Sequence, residues 1–292
     1  MLVYKGQSYY WAPMQDDRSR REAFFDEAAA ETPYLAVRTR HGELLFMRSD
    51  DNGFGRLLFA GGWSKDVKFL HRAVSLLGEA GITLAGTTFV DVGANIGTTT
   101  VTALRRHGFS RAVAVEASPE NLRTLRINVA ANDLGGVVDV FGVAVSDTEE
   151  EQEMFLSVAS SGAHTVDHSI PRSSRPGRVT VRAVTLDGLA SRGEINPARI
   201  GLLWLDVPGA ETRVLAGAST LLEAGVPVVT AVRARKPYNW PETKARLMSL
   251  LGTYTDFALL RGDAAERSND LGRLLEGLSG VSDLLAFRRP AR

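Results

Sequence analysis

Asp91, Gly93, Asn95 and Gly97 stand two apart in the run F-V-D-V-G-A-N-I-G at residues 89–97. The apolar Thr88-Phe89-Val90 before Asp91 reads as a strand, and residues 98–104 (T-T-T-V-T-A-L) open a helix pattern. A strand, a tight glycine turn and a helix start place that turn at the carboxyl end of a strand, where open α/β sheets hold their ligands. Glycine lets a ligand approach the backbone because no Cβ intervenes. Free N–H groups at a helix start favour a carboxylate or another anion. A dinucleotide turn would read G-x-G-x-x-G. Here the turn reads G-x-N-x-G behind an acidic Asp91, a charge that repels a pyrophosphate and attracts a cation or an ammonium group.

A second carboxylate completes the pattern. Residues 111–115 (R-A-V-A-V) read as the next strand, and Glu116 ends it. It lies about 20 residues beyond the turn, the usual place for a carboxylate that accepts both ribose hydroxyls. A ligand with an amino-acid end, a positive centre and a ribose meets all of these features; S-adenosylmethionine (SAM) is such a ligand. Each feature taken singly also fits an ordinary βα turn or a solvated strand end.

The rest of the chain has to position these groups. Charges with Phe24 and Phe25 over residues 16–30 predict a helix that Pro33 ends. Residues 34–46 alternate around His41-Gly42 and predict a hairpin. Residues 56–60 are compatible with a short strand or a helix start. Val67, Leu70, Val74 and Leu77 fall at helical spacing behind Ser64, a plausible N-cap. From Thr87 the pattern alternates strand and helix. Strands are expected over residues 88–90, 111–115, 137–145, 200–205 and 227–232, with two more over 151–158 and 178–184 and a final pair over 254–260 and 283–288. Residues 159–177 read as a long Ser/Gly/His/Pro loop, and 263–278 as a loop with some helix. The alternation implies a mostly parallel sheet with an antiparallel edge strand. A helix and hairpin extension over residues 1–62 would precede the α/β domain of residues 63–292.

Composition narrows the functional classes. The 292-residue chain is 44% hydrophobic and 23% charged, enough for a sizeable core. Lys plus Arg and Asp plus Glu both number 34, which gives no support to nucleic-acid or anionic-membrane binding. The chain has no cysteine, so disulfides, thiolate metal sites and cysteine nucleophiles are excluded. No run approaches the roughly 20 apolar residues of a membrane span, and residues 1–11 lack the apolar centre of a secretion signal. A soluble, cytoplasmic protein is the expectation.

Several ordered motifs resemble the FkbM-type SAM-dependent methyltransferases. They are residues 89–97, E-A-S-P-E-N at 116–121, Asn128 with Asn132, V-A-V-S-D at 143–147, V-T-L-D-G-L at 184–189 and L-D-V-P-G-A-E-T-R-V-L-A-G-A at 205–218. The resemblance implies a Rossmann-like class I methyltransferase fold with a seven-stranded, mostly parallel sheet. It implies SAM as donor, S-adenosylhomocysteine (SAH) as product, and O-methylation of a sugar or natural-product ring. Carried onto this chain, Asp91, Gly93, Ala94, Asn95 and Gly97 would cradle the methionine end. Glu116 and Asn121 would face the ribose side, Ala117, Ala144 and Val145 the adenine, and Asp206 would lie beneath the transferring methyl. The chain departs from the family at Trp204, at Pro208 and at Ala231-Val232-Arg233, positions read here as facing the acceptor.

Methyl transfer from a sulfonium chiefly requires orientation, and a general base assists by taking the hydroxyl proton. Asp206, His164 and His168 are the candidates, and Asp206 is expected to be needed for turnover. Glu211, in the first turn of a helix, reads as structural, and Arg233, Arg235 and Lys236 as either an anion site or a solvated loop. No metal site is expected, because only Asp206 and Glu211 lie close in sequence. A small-molecule hydroxyl acceptor is the expected partner, with no nucleic acid and no membrane. A nicotinamide-dependent oxidoreductase and a non-catalytic SAM-fold binding protein are the alternatives.

Overall fold

Hydrogen bonding and burial at the amino end follow local signals closely. The computed structural model describes residues 18–62, 64–157, 160–166, 177–235, 238–261 and 264–290. Helix α1 (Arg18–Ala28) precedes a hairpin of β1 (Tyr34–Arg38) and β2 (Leu44–Arg48). Residues 56–60 fall within helix α2 (Phe54–Gly61), begun by the Asp51 carboxylate, which accepts from the N–H groups of Gly53 (3.2 Å) and Gly55 (2.9 Å). Helix α3 (Lys65–Glu79) starts at Ser64, whose hydroxyl accepts from Val67 N as expected.

From β3 (Thr88–Val92) the chain alternates α4 (Thr98–Arg106), β4 (Arg111–Val115), α5 (Pro119–Ala131) and β5 (Val138–Phe141). The single strand expected over residues 137–145 divides here. A Cβ on Gly142 would stand 2.6 Å from Leu122 Cδ2 of α5, so glycine lets the chain pass close to that helix. Beyond it β6 (Ala144–Val145) joins a second sheet with β7 (Glu151–Leu156) and β8 (Gly177–Val184). Helix α6 (Leu186–Ser191), β9 (Ile200–Leu205), α7 (Glu211–Ala216) and β10 (Val228–Ala234) follow. The chain ends in β11 (Asp256–Arg261), β12 (Ala264–Ser268) and β13 (Gly280–Phe287).

The main sheet has the order β12-β11-β13-β10-β9-β3-β4-β5, with β5, β4, β3, β9 and β10 parallel. It is the mostly parallel sheet expected, with two differences. Strand β12 adds an eighth strand where a loop with helix was expected; the helix follows it, at Leu271–Leu275. The antiparallel β13 lies inside the sheet, between β10 and β11, because Leu284, Leu285, Ala286 and Phe287 are buried on both faces. The mostly exposed β12, with Glu266 and Arg267, forms the edge, where charge discourages further pairing.

Alternate residues of the buried strands face two apolar layers. Phe89, Leu202, Trp204, Val229 and Leu285 pack with Leu70 and Leu77 of α3 and with Val101 and Leu125. Phe25, Leu35, Met47 and Leu58 belong to this same layer. Val90, Leu203, Leu205, Val228 and Leu284 face the other layer with Val214, Leu215 and Leu247. Among the described residues, no helix is long and apolar enough to cross a membrane.

Two asparagines of α5 seal the open edge of β2. Asn128 accepts from Phe46 N (2.6 Å) and donates to Phe46 O (3.0 Å) and Ile96 O (2.7 Å). Asn132 accepts from Leu44 N (3.0 Å) and donates to Leu44 O (2.7 Å). The amides thus imitate a neighbouring strand. Asn128→Ala leaves buried backbone groups unpaired, at about 1–3 kcal/mol for such a group. A stability lower by about 3 kcal/mol, read from a reduced urea midpoint at unchanged slope, is expected; an unmoved midpoint would remove Asn128 as an anchor.

Candidate functional site

The carboxyl ends of β3, β4 and β9 open on a cleft. Its floor is the turn after β3. Gly93 (φ +83°), Asn95 (φ +53°) and Gly97 (φ +88°) all adopt the left-handed region, which glycine tolerates freely and asparagine better than most residues. Space imposes a second demand for glycine. A Cβ on Gly93 would stand 2.3 Å from Asp206 O, and one on Gly97 2.6 Å from Leu125 Cδ1. The G-x-N-x-G spacing therefore records alternating positive φ with two close approaches.

Gly93, Asn95, Glu116, Ala117, Asn121, Ala144, Val145 and Asp206 line the cleft; Asp91, Ala94 and Gly97 do not. Asp91 was read as facing a ligand, but it is fully buried behind the turn. Its Oδ2 accepts from the hydroxyls of Thr99 and Thr100, each at 2.6 Å, and so holds the first turn of α4, whose N-cap Gly97 has no side chain to do so. Burial pushes its carboxyl up to about 6 against the pull of those hydroxyls. Ala94 and Gly97 shape the turn from behind.

Glu116 forms the wall beside the turn. Its oxygens accept from Asn95 N and Ser118 N, both at 2.8 Å. Burial pushes its carboxyl up to about 7, although those two N–H groups favour the charged form. Among the described residues, the buried Asn95 Oδ1 has no hydrogen-bond partner. Small residues, Ala144 and Val145, line the cleft beside Met154, and Ala144 packs with Ala117.

A short loop over residues 160–166 closes one side. Phe54 N donates to Ser160 Oγ (3.2 Å), Ser161 N to Asp51 Oδ1 (3.2 Å), Asn121 Nδ2 to Ser161 O (3.0 Å), and the Thr165 hydroxyl to Pro208 O. Asp51 and Thr165 carried no sequence signal, because their partners are distant in the chain. His164 reaches the cleft, but its Nδ1 accepts from Ser157 N at 2.9 Å. In the neutral ring that bond occupies the Nδ1 lone pair and leaves the proton on Nε2, so the ring keeps no lone pair for the base role expected of it. His168 lies outside the described residues.

Asp206 follows β9 and stays half-exposed at the cleft. Its Oδ1 accepts from Arg233 Nη2 at 2.7 Å. Arg233 also pairs with Glu211, whose Oε2 accepts from Gly209 N at 3.0 Å. Burial pushes the Glu211 carboxyl up to about 7 even though Arg233 opposes it. Burial works against the Arg233 charge, but Glu211 and Asp206 more than restore it. Arg233 is thus committed to two carboxylates of its own chain, which removes it from the anion site suggested for it; Lys236 lies outside the described residues. Glu211 is structural, as read. Trp204 faces no acceptor: it is buried in the core beside Asp91 in the sheet register. Pro208 does line the cleft.

Two further acids gather here that spacing did not mark. Asp66 lies in the first turn of α3, and Asp283 interrupts the apolar run of β13. Burial, then the charge of Asp206, pushes Asp66 up to about 6 and Asp283 to about 7.

The Methyltransferase FkbM domain profile matches residues 91–258, more than half of the chain. No curated protein matches. Among solved structures, a methyltransferase FkbM from Methylobacillus flagellatus KT is 15% identical with a TM-score of 0.45, over 92% of this chain and 59% of that one. This chain therefore spans less than two thirds of that protein's length. An O-methyltransferase from Bacillus cereus in complex with SAH is 15% identical with a TM-score of 0.41, over 77% of this chain and 81% of that one. A putative RNA methyltransferase from Pyrococcus horikoshii is 14% identical with a TM-score of 0.39, over 77% and 84%. With its G-x-N-x-G turn, its Glu116 wall and a family profile running from Asp91 into β11, this chain belongs to the FkbM methyltransferases.

Proposed function

We propose that the chain methylates a hydroxyl of a small molecule, a sugar or a natural-product ring, with SAM as the donor. The observation that carries this reading is the facing of Glu116 and Asn95 on one side of the cleft by Asp206 on the other. The residues present fit SAM. Asn95 Oδ1 is a buried acceptor with no partner among the described residues, suited to an ammonium group. Each Glu116 oxygen accepts one backbone hydrogen bond and retains capacity for a ribose hydroxyl. Ala117, Ala144 and Val145 offer small apolar surface to a flat ring.

When bound, SAM supplies a methyl group already activated on a sulfonium. The chain's own part is mostly orientation. Glu116 and Asn95 fix the donor side, and the loop over residues 160–166 excludes water. Asp206 holds one oxygen toward Arg233 and leaves Oδ2 to receive the hydroxyl proton of the acceptor.

Calorimetry with SAH tests this directly. Micromolar binding by the wild type and a roughly hundredfold loss in Glu116→Ala are expected, since two hydrogen bonds to a charged group are lost at about 1.5–3 kcal/mol each. Circular dichroism checks that the variant remains folded. A wild type that binds neither SAM nor SAH would end this reading.

A further inference from the structure

The sheet register carries the acidic pattern beyond the cleft. Leu205 pairs with Thr230, so Asp206 falls one step on, level with Ala231. Ala231 in turn pairs with Asp283 of β13. Residues in one row across a sheet point to the same face, here the face covered by α3. Asp206 and Asp283 therefore flank Ala231 with backbones about 10 Å apart, two strand spacings. The methyl group of Ala231 fills little of the gap between them. Asp66, in the first turn of α3, adds its charge to that of Asp206 at Asp283, and Lys65 Nζ stands 3.9 Å from its carboxylate. Asp66 feels the charges of Asp206 and Asp91, and Asp283 those of Asp206 and Asp66; Lys65 offsets both, and Arg233 also offsets Asp283.

Asp283 is the telling member. It is 5% exposed, and among the described residues it has neither a hydrogen bond nor an ion pair. Arg233 reaches it only through space, because that guanidinium is bonded to Asp206 and Glu211. A buried, unpaired carboxylate is costly to keep. Leucine or asparagine would fit an inner strand at lower cost, so the aspartate calls for a cation supplied from outside. An ammonium group, which donates directly to carboxylates, is a cation of that kind.

We propose that the acceptor carries an ammonium group near its reacting hydroxyl, and that Asp66, Asp206 and Asp283 hold this group at the acceptor end of the cleft. The proposal rests on the methyl-transfer reading for the word acceptor. It narrows the substrate class to amino sugars, aminocyclitols and similar amino alcohols. Asp206 belongs to both parts of the site: one edge borders the donor cleft, and the other begins the acidic row. Hydroxyl and ammonium groups on neighbouring positions of one ring would span that distance.

Matched probes test the charge alone. trans-2-Aminocyclohexanol and trans-cyclohexane-1,2-diol share ring and hydroxyl and differ in the ammonium group. Titrated into the SAH-saturated chain and into the chain alone, the amine is expected to bind at least about tenfold tighter than the diol. Asp283→Asn should erase that preference and leave SAH affinity unchanged. Asp66→Asn, at a less buried position, should reduce it and serves if Asp283→Asn melts early. Equal binding of the two probes, no binding of the amine, or a preference that survives both substitutions would overturn the proposal. A chain that prefers the amine but binds no SAH would keep the cation site and lose the methyl-transfer reading instead.

Discussion

Gly93→Ala is expected to abolish SAH binding and to destabilise the fold by more than about 4 kcal/mol, beyond the range of an ordinary point substitution. Two costs combine. At φ +83° an alanine carries the left-handed penalty, about 1–2 kcal/mol. Its Cβ would also stand 2.3 Å from Asp206 O and 3.0 Å from both Asp206 C and Val207 Cγ1. The first two are backbone atoms, so no rotamer change relieves the clash. The end of β9 must move, which strains the bond from Asp206 N to Val92 O (3.1 Å) and carries Asp206 away from Glu116. Two other glycines separate the contributions. Gly86 has φ +78° and nothing within 4 Å of an added Cβ, so Gly86→Ala tests the backbone term alone. At Gly97 the obstacle is the flexible end of Leu125, 2.6 Å away, so Gly97→Ala should fall between. Urea denaturation and SAH calorimetry on the three variants give the order. A Gly93→Ala protein as stable as Gly86→Ala would mean that the turn and β9 yield more easily than this geometry allows.

That turn was legible because its requirements are local. Positive φ and missing Cβ atoms leave a glycine pattern that survives without knowledge of the rest of the sheet. Glu116 was legible for the same reason, as the end of one apolar strand. The cap at Ser64 and the hairpin around Gly42 also depend on neighbours a few residues away. What the sequence concealed was set by register and long-range contact. Asp91 resembled a ligand group because strand-end acids often are, yet the hydroxyls of Thr99 and Thr100 turn it inward. Arg233 resembled an anion site until Glu211, 22 residues earlier, was found paired with it. Asp283 acquires meaning only from standing level with Ala231 and Asp206, a fact of strand order. The inner position of β13 followed from its doubly buried apolar run, which the sequence displayed but which an edge-strand reading passed over.

The same buried acids give the ligand-free chain an unusual pH dependence: it is expected to be more stable near about pH 6 than at about pH 8. Glu116, Glu211 and Asp283 are pushed up to about 7, and Asp66 and Asp91 to about 6, chiefly by burial. In the unfolded chain these groups titrate at 3.8 for Asp and 4.5 for Glu. Between the unfolded and folded values the folded state holds protons that the unfolded state has released. Stability therefore falls as pH rises through about 6 to 7 and returns as pH is lowered. Two histidines oppose the trend. Burial lowers His71, and takes His107 down to about 4, so the unfolded chain protonates first below 6.5 and stability is lost there. Carboxylates held low by partners, such as Asp50 against Arg48, weaken the fold only at more acid pH. A single group raised by about two units contributes up to about 3 kcal/mol, and the histidines take part of the total back. A net gain of order 3 kcal/mol from about pH 8 to pH 6 is expected in urea midpoints. Asp283→Asn should flatten that slope by about one proton and stabilise the chain at the alkaline end, because it removes one of the groups that resist ionisation. Stability rising steadily from about pH 6 to pH 8 would show that these carboxylates are ionised and solvated. The buried, charge-deficient row from which the ammonium site was inferred would then not exist in solution.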